Sequence, residues 1–124
     1  MASVSWKHEP DDHDYPAAGS YLSLLAPAHD VATLIDRLRA AEIAHYKAKD
    51  LLRAATLDLL PTDNPHVASD LAKIKAGKEL SPVLVVRGDL TNGTPLQIAD
   101  GYHRVCASYH VDENTDIPAK IVDR

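Results

Sequence analysis

The sequence predicts an α+β domain with a small mixed sheet. Apolar residues recur at helical spacing in residues 29–55 and 64–77. Residues 81–100 instead form two β-rich runs joined by Thr-Asn-Gly-Thr, a hairpin-type turn. A strand-to-helix junction at residues 96–111 and a last short strand around 117–122 complete the order, which is helices followed by β-α-β-β-α-β.

The composition is that of one soluble globular domain. The 124 residues are 45% hydrophobic and 25% charged, which are ordinary values for such a chain. The formal net charge is -5 and no polybasic stretch is present, so specific DNA binding is not expected. No run of about 20 apolar residues predicts a membrane span. The single cysteine excludes an internal disulfide, and we expect a cytoplasmic protein.

The first 20 residues are polar, acidic and proline-containing, which predicts a flexible acidic arm over residues 1–20. Residues 21–124 are then a single domain, with a helical extension over 29–55 and a core over 56–124. A solvated tail is the favoured interpretation of the arm, so no metal site is predicted there. Its potential ligands are His8, Glu9, Asp11, Asp12, His13 and Asp14.

The extension is predicted to be one long helix or two helices that break near His45. Asp30 is placed to cap its start. The apolar stripe on its first face comprises Val31, Leu34, Ile35 and Leu38. The following residues 56–60, Thr-Leu-Asp-Leu-Leu, alternate in polarity and end at Pro61, which predicts a short strand.

The next helix carries start and stop signals. Asn64 is a good N-cap, and Pro65 fits the first helical position. Gly77 is placed to end the helix in a left-handed conformation. The apolar stripe between them comprises Val67, Leu71 and Ile74.

The strand-to-helix junction is the candidate binding site. Gly101 permits a sharp turn and a close approach of the backbone to a ligand. The first N–H groups of the following helix have no intrahelical partner, and with the helix dipole they attract an anion such as phosphate. Arg104 can clamp phosphate, and His103 can donate to it or move a proton. Alternatively, Asp100 merely caps a helix. The anion site requires those N–H groups to be free and Arg104 not to be held in a structural ion pair.

Residues 56–123 resemble the ParB/sulfiredoxin-like superfamily. The resemblance is carried by "NPHVASDLAKIKAGKELSPVLVV", the hairpin, "IADGYHRVCASYHV" and "DIPAKIV", in that order. It implies a ParB/sulfiredoxin-like mixed sheet preceded by one or two extra N-terminal helices. It also implies that ATP, ADP or CTP binds at the junction through its phosphates, with Mg²⁺ bridging phosphates and carboxylates.

The loop "DGYHR" is most similar to the Asp-Gly-His-His-Arg loop of free serine kinases. That resemblance makes Gly101, Tyr102, His103 and Arg104 the cofactor-binding residues, with Tyr102 in place of a histidine. It places Asp100 and His103 next to the chemistry of a phosphotransferase. Asp63 lies near the position of the kinases' acidic residue and would act as general base, although a turn or capping role fits it as well.

The sequence also bears on a sulfiredoxin-like activity and on a non-catalytic function. The catalytic cysteine of sulfiredoxin lies between the glycine and the histidine of the loop, where this chain has Tyr102. We therefore interpret Cys106 as a small core residue. The rival to a kinase-like function is a non-catalytic regulator, in which the acidic arm and helices 29–55 bind a protein partner or a second copy of the chain.

Overall fold

The computed structural model describes residues 3–124, which form five helices and six strands. In chain order these are β1 (Ser5–Trp6), α1 (Asp14–Leu22), α2 (Ala28–Ala40), β2 (Ala44–Lys47), α3 (Ala48–Ala55), α4 (Pro65–Lys75), β3 (Glu79–Leu80), β4 (Val83–Val86), β5 (Gln97–Asp100), α5 (Tyr102–Val111) and β6 (Asp116–Val122). The predicted α+β class and mixed sheet are confirmed. No helix within residues 3–124 is both long and apolar enough to cross a membrane.

The main sheet has four strands in the order β2-β6-β4-β5. The central pair β4 and β6 is parallel, and both edge strands are antiparallel to their neighbours. The predicted hairpin connects β4 to β5, with Gly93 at φ +70 and two backbone hydrogen bonds between Asp89 and Thr94. β1 and β3 form a separate parallel pair.

Helices cover both faces of the main sheet, so β4 is buried at every residue. Val83 and Val85 pack into an apolar cluster with α3, α4 and α5. Leu84 and Val86 point to the opposite face and pack with α1 and α2. The alternation of a strand thus divides the core into two clusters, each covered by its own helices. Cys106 is fully buried in the first cluster, as its interpretation as a core residue predicted.

The prediction of a flexible arm over residues 1–20 is wrong for the part that the structure describes. β1 pairs with β3, and α1 contributes Tyr15, Ala18 and Leu22 to the second apolar cluster. These three residues recur at helical spacing, but polar residues and Pro16 surround them and conceal the pattern. Because α1 covers the sheet together with α2, the domain includes residues that the sequence assigned to the arm.

The region 29–55 is not purely helical, although its helices do break near His45. The break is strand β2, whose residues Ala44–Lys47 pair with β6 at the edge of the sheet. Residues 56–60 were expected to be a strand and are not one. Side chains of α5 bind their carbonyl groups instead: Tyr102 donates to the Asp58 oxygen at 2.6 Å, and the His110 ring lies 2.7 Å from the Leu60 oxygen.

The signals around α4 are confirmed. The Asn64 side chain accepts hydrogen bonds from the N–H groups of His66 and Val67 at 3.0 and 3.2 Å, and Pro65 is the first helical residue. Gly77 follows the helix with φ +76. These bonds fix the first turn of α4, which borders the candidate site.

Candidate functional site

The candidate site is a cleft of about 560 Å³ at the first turns of α4 and α5. The N-terminal segment of residues 7–17 forms a third wall, and the stretch from Lys78 to Ser81 forms a fourth. Of the residues predicted to bind or react, Asp100, Gly101, His103 and Arg104 line this cleft. The strand-to-helix junction is therefore at a concave surface, as a binding site requires.

Gly101 is required at the junction for two reasons. Its φ of +113 is a conformation that other residues rarely adopt. A Cβ at this position would also lie 2.8 Å from the Val83 Cβ and 3.0 Å from Arg104 Nη2. The sharp turn predicted from the sequence is confirmed, and it packs the start of α5 tightly against β4.

The first turn of α5 carries no side-chain cap from any residue between 3 and 124. Asp100 does not cap the helix, so that alternative interpretation is wrong. The first intrahelical bond runs from the Val105 N–H group to the Gly101 carbonyl at 3.0 Å. The N–H groups before Val105 thus keep their capacity to bind an acceptor at the positive end of the helix dipole.

Arg104 lies in a largely buried ion-pair network, with its side chain only 13% exposed. Its guanidinium donates to the Asp100 carboxylate, to Asp14 Oδ2 at 3.3 Å and to the Ser81 carbonyl at 2.9 Å. Ser81 also donates to Asp14. This is the structural ion pair that the anion-site prediction required to be absent. Arg104 is therefore held and neutralised by two carboxylates and offers no free fork for phosphate.

Two carboxylates share this one guanidinium. Burial raises the pKa of the Asp100 carboxyl, Arg104 lowers it, and the neighbouring Asp14 carboxylate raises it further, so that the net shift is upward. Both carboxylates are occupied by Arg104, which leaves them poorly placed as dedicated Mg²⁺ ligands. A magnesium ion at this cleft would be held mainly through phosphate oxygens and water.

Two imidazoles meet at the mouth of the cleft. The ring centroids of His66 and His103 lie 4.7 Å apart, and both residues line the cleft. Burial and His66 lower the pKa of His103, whereas Asp70 opposes this shift. Burial raises the pKa of Asp70, which lies one turn after His66 on α4. His103 is therefore held toward its neutral form, in which one ring nitrogen can accept a hydrogen bond or a proton.

Tyr102 and Asp63 do not join this group. Tyr102 points away from the cleft to the Asp58 carbonyl. Asp63 is exposed in the turn before α4 and is not among the residues that line the cleft. The turn role that the sequence offered for Asp63 is thus the one that its position favours.

Sequence reasoning did not bring Asp14, His66, Asp70 or Ser81 to the junction, although it named Asp14 as a potential metal ligand of the arm. The i, i+4 spacing of His66 and Asp70 at the start of a capped helix was a usable signal. No local pattern marks Asp14 and Ser81, since they approach the junction only through the packing of α1 and β3.

The charges of the cleft are mixed. Lys7 pairs with Asp11 at 2.7 Å, and Lys73 lies 3.9 Å from Asp70. Lys78 also lines the cleft, and no ion pair involves it within residues 3–124. An incoming anion would thus meet Lys73, Lys78 and the first turn of α5, but also a lining with five carboxylates: Asp11, Asp14, Asp70, Glu79 and Asp100.

Three potential metal ligands also meet beside the cleft. Asp11, His13 and Asp14 each offer one ligand atom, and these atoms lie within 4.8 Å of one another. Lys7 already binds Asp11, and Ser81 and Arg104 bind Asp14. The sequence prediction of a solvated, metal-free arm did not anticipate that half of its candidate ligands would converge.

No protein-family model, curated protein or solved structure matches this chain. The resemblance to the ParB/sulfiredoxin-like superfamily remains a prediction. The function is therefore argued from the geometry of the cleft.

Proposed function

We propose that this chain binds a small phosphorylated compound, most simply a nucleotide, in the cleft between α4, α5 and the N-terminal segment. This version of the site does without Arg104 as a phosphate clamp, because Asp14 and Asp100 hold its guanidinium. The observation that carries the proposal is instead the uncapped first turn of α5, which borders the cleft beside Lys73, Lys78 and His103. Backbone N–H groups at a helix start, supported by nearby cations, form a common phosphate site. A cleft of about 560 Å³ is also of the size that holds small ligands.

The resemblance of "DGYHR" to kinase loops supports ATP, ADP or CTP as the compounds to test. Binding is better supported than phosphotransfer. Asp63 lies outside the cleft, and Asp100 is engaged by Arg104. If phosphotransfer occurs, His103 is the group of the three whose position and lowered pKa suit proton acceptance.

Calorimetric titration with ATP, ADP, CTP and inorganic phosphate, each with and without Mg²⁺, tests the proposal. We expect at least one nucleotide to bind and Lys73→Ala with Lys78→Ala to weaken it at least about tenfold, because two charge-assisted contacts are lost. Lys75→Ala is the matched control, since Lys75 belongs to the same helix but does not line the cleft. Absence of binding by all four compounds would remove the proposal.

The second candidate is a non-catalytic regulator that binds a protein partner or a second copy of the chain. Exposed leucines favour it: Leu24 is 81% exposed and Leu25 57% exposed on the connection between α1 and α2. Sedimentation velocity tests self-association. A dimer that Leu24→Ser with Leu25→Ser dissociates would support binding of a second copy, whereas a monomer at all concentrations would exclude self-association.

A further inference from the structure

His66 and His103 occupy equivalent places in two helices. Each is the second residue of its helix, His66 in α4 and His103 in α5. Their rings are tilted by 44° with centroids 4.7 Å apart, and both line the cleft. Packing of α4 on α5 thus brings together two titratable groups that are far apart in the sequence.

Neither imidazole is in a favourable place for a positive charge. A proton on one ring repels a proton on the other at this distance, and both rings lie at the positive ends of helix dipoles. Burial and His66 lower the pKa of His103. Without a ligand, the neutral form of His103 is therefore favoured.

The other charged or titratable groups near the pair come from every wall of the cleft and, for Tyr102, from just outside it. They are Lys7, Asp11, His13 and Asp14 of the N-terminal segment, Asp70 and Lys73 of α4, Lys78 and Glu79 at β3, and Asp100, Tyr102 and Arg104 at the start of α5. His13 is 82% exposed at the far wall. Asp70 is the nearby carboxylate that favours protonation of His103, and Arg104 is already neutralised by its two carboxylates.

We propose that anion binding in this cleft is coupled to proton uptake by the His66–His103 pair, so that affinity rises as the pH falls from 8 to 6. The inference rests on the proposed function, since it describes the regulation of the same cleft. A bound dianion attracts a protonated imidazole and so offsets the repulsion between the two rings. The complex therefore holds more protons than the free protein. By linkage, the ligand that promotes protonation is in turn bound more tightly at low pH.

The first test is an NMR titration of the imidazoles in the full chain, in sodium sulfate and in sodium chloride at equal ionic strength. Sulfate keeps both charges over this pH range, unlike a phosphate group. We expect sulfate to raise the pKa of at least one ring of the pair by about one unit, whereas exposed His45 on β2 should not respond. Equal pKa values of His66 and His103 in the two salts would overturn the inference.

The second test measures sulfate and nucleotide affinity at pH 6 and pH 8. Uptake of one proton would strengthen sulfate binding by up to about tenfold per pH unit in the wild type. We expect His66→Gln and His103→Gln to flatten this dependence and His45→Gln to retain it. Nucleotide binding with unchanged sulfate affinity between the two pH values would refute proton coupling and leave the proposed function intact. Sulfate binding that strengthens at low pH, without nucleotide binding, would support proton coupling and refute nucleotide binding.

Discussion

Gly101 is the residue at which conformation and packing coincide. We expect Gly101→Ala to destabilise the domain by about 2–4 kcal/mol, because the added Cβ would both strain the positive φ and clash with Val83. Gly93→Ala is the control. Gly93 has φ +70 but no atom within 4 Å of an added Cβ, so only about 1 kcal/mol should be lost. Urea denaturation measures both, and similar losses would mean that the contact with Val83 is easily relieved.

We predict that the main role of Arg104 is to stabilise the fold. Arg104→Met leaves the buried carboxylates of Asp14 and Asp100 without their cation, which should cost about 3–5 kcal/mol in the free energy of unfolding. Arg87→Met removes an exposed pair with Asp123 and should cost under about 1 kcal/mol. A variant Arg104→Met of normal stability that no longer binds nucleotide would instead make Arg104 a ligand clamp.

Asp70 gives a pH dependence of known sign. Burial raises its pKa in the folded state, so its charged form opposes folding above that pKa, and this effect disappears below its unfolded value of about 4. Asp70→Asn should therefore be more stable than the wild type at pH 7 and equally stable at pH 3. Thermal unfolding across this range is the measurement, with exposed Asp63→Asn as a control that should follow the wild type.

At the scale of elements, the sequence correctly predicted features that depend on a few neighbouring residues. The cap at Asn64, the turn at Gly93 and the glycine of the α5 junction each specify their backbone through their own chemistry. Strand β2 was missed because its four residues lie between two helices and depend on β6 for their hydrogen bonds. The alternation in residues 56–60 was misleading because α5, rather than a strand, binds that segment.

The cap of α4 allows a direct test. Asn64→Ala removes the acceptor for the N–H groups of His66 and Val67, which should cost about 1 kcal/mol. Asn64→Ser keeps a capping oxygen and should cost only a few tenths of a kcal/mol in the free energy of unfolding. Chemical denaturation compares the two variants. If both lose the same amount, the side-chain bonds contribute little to α4.

At the scale of the whole molecule, the main error of sequence reasoning was to separate residues 1–20 from the domain. Composition suggested an arm because the burial of Tyr15 and Ala18 depends on strands β4, β5 and β6, which come much later in the chain. The same limit applied to the site. Gly101 and His103 could be predicted from one stretch, whereas Asp14 and Asp70 reach the cleft through packing.

The place of α1 in the core is tested by two neighbouring leucines. Leu22 is 3% exposed, and Leu22→Ala should destabilise the protein by about 2–5 kcal/mol. Leu24 is 81% exposed, and Leu24→Ala should change the free energy of unfolding by no more than about 0.5 kcal/mol. Equal effects in thermal unfolding would mean that α1 does not cover the sheet in solution.

The only cysteine of the sequence belongs to the helix that carries the candidate site. Cys106 is fully buried, two residues after Arg104 in α5, and burial raises the pKa of its thiol. Alkylating reagents need a thiolate that they can reach. Modification of this chain is therefore limited by how often α5 separates from its neighbours, and its rate reports the opening of the helix that carries the candidate site.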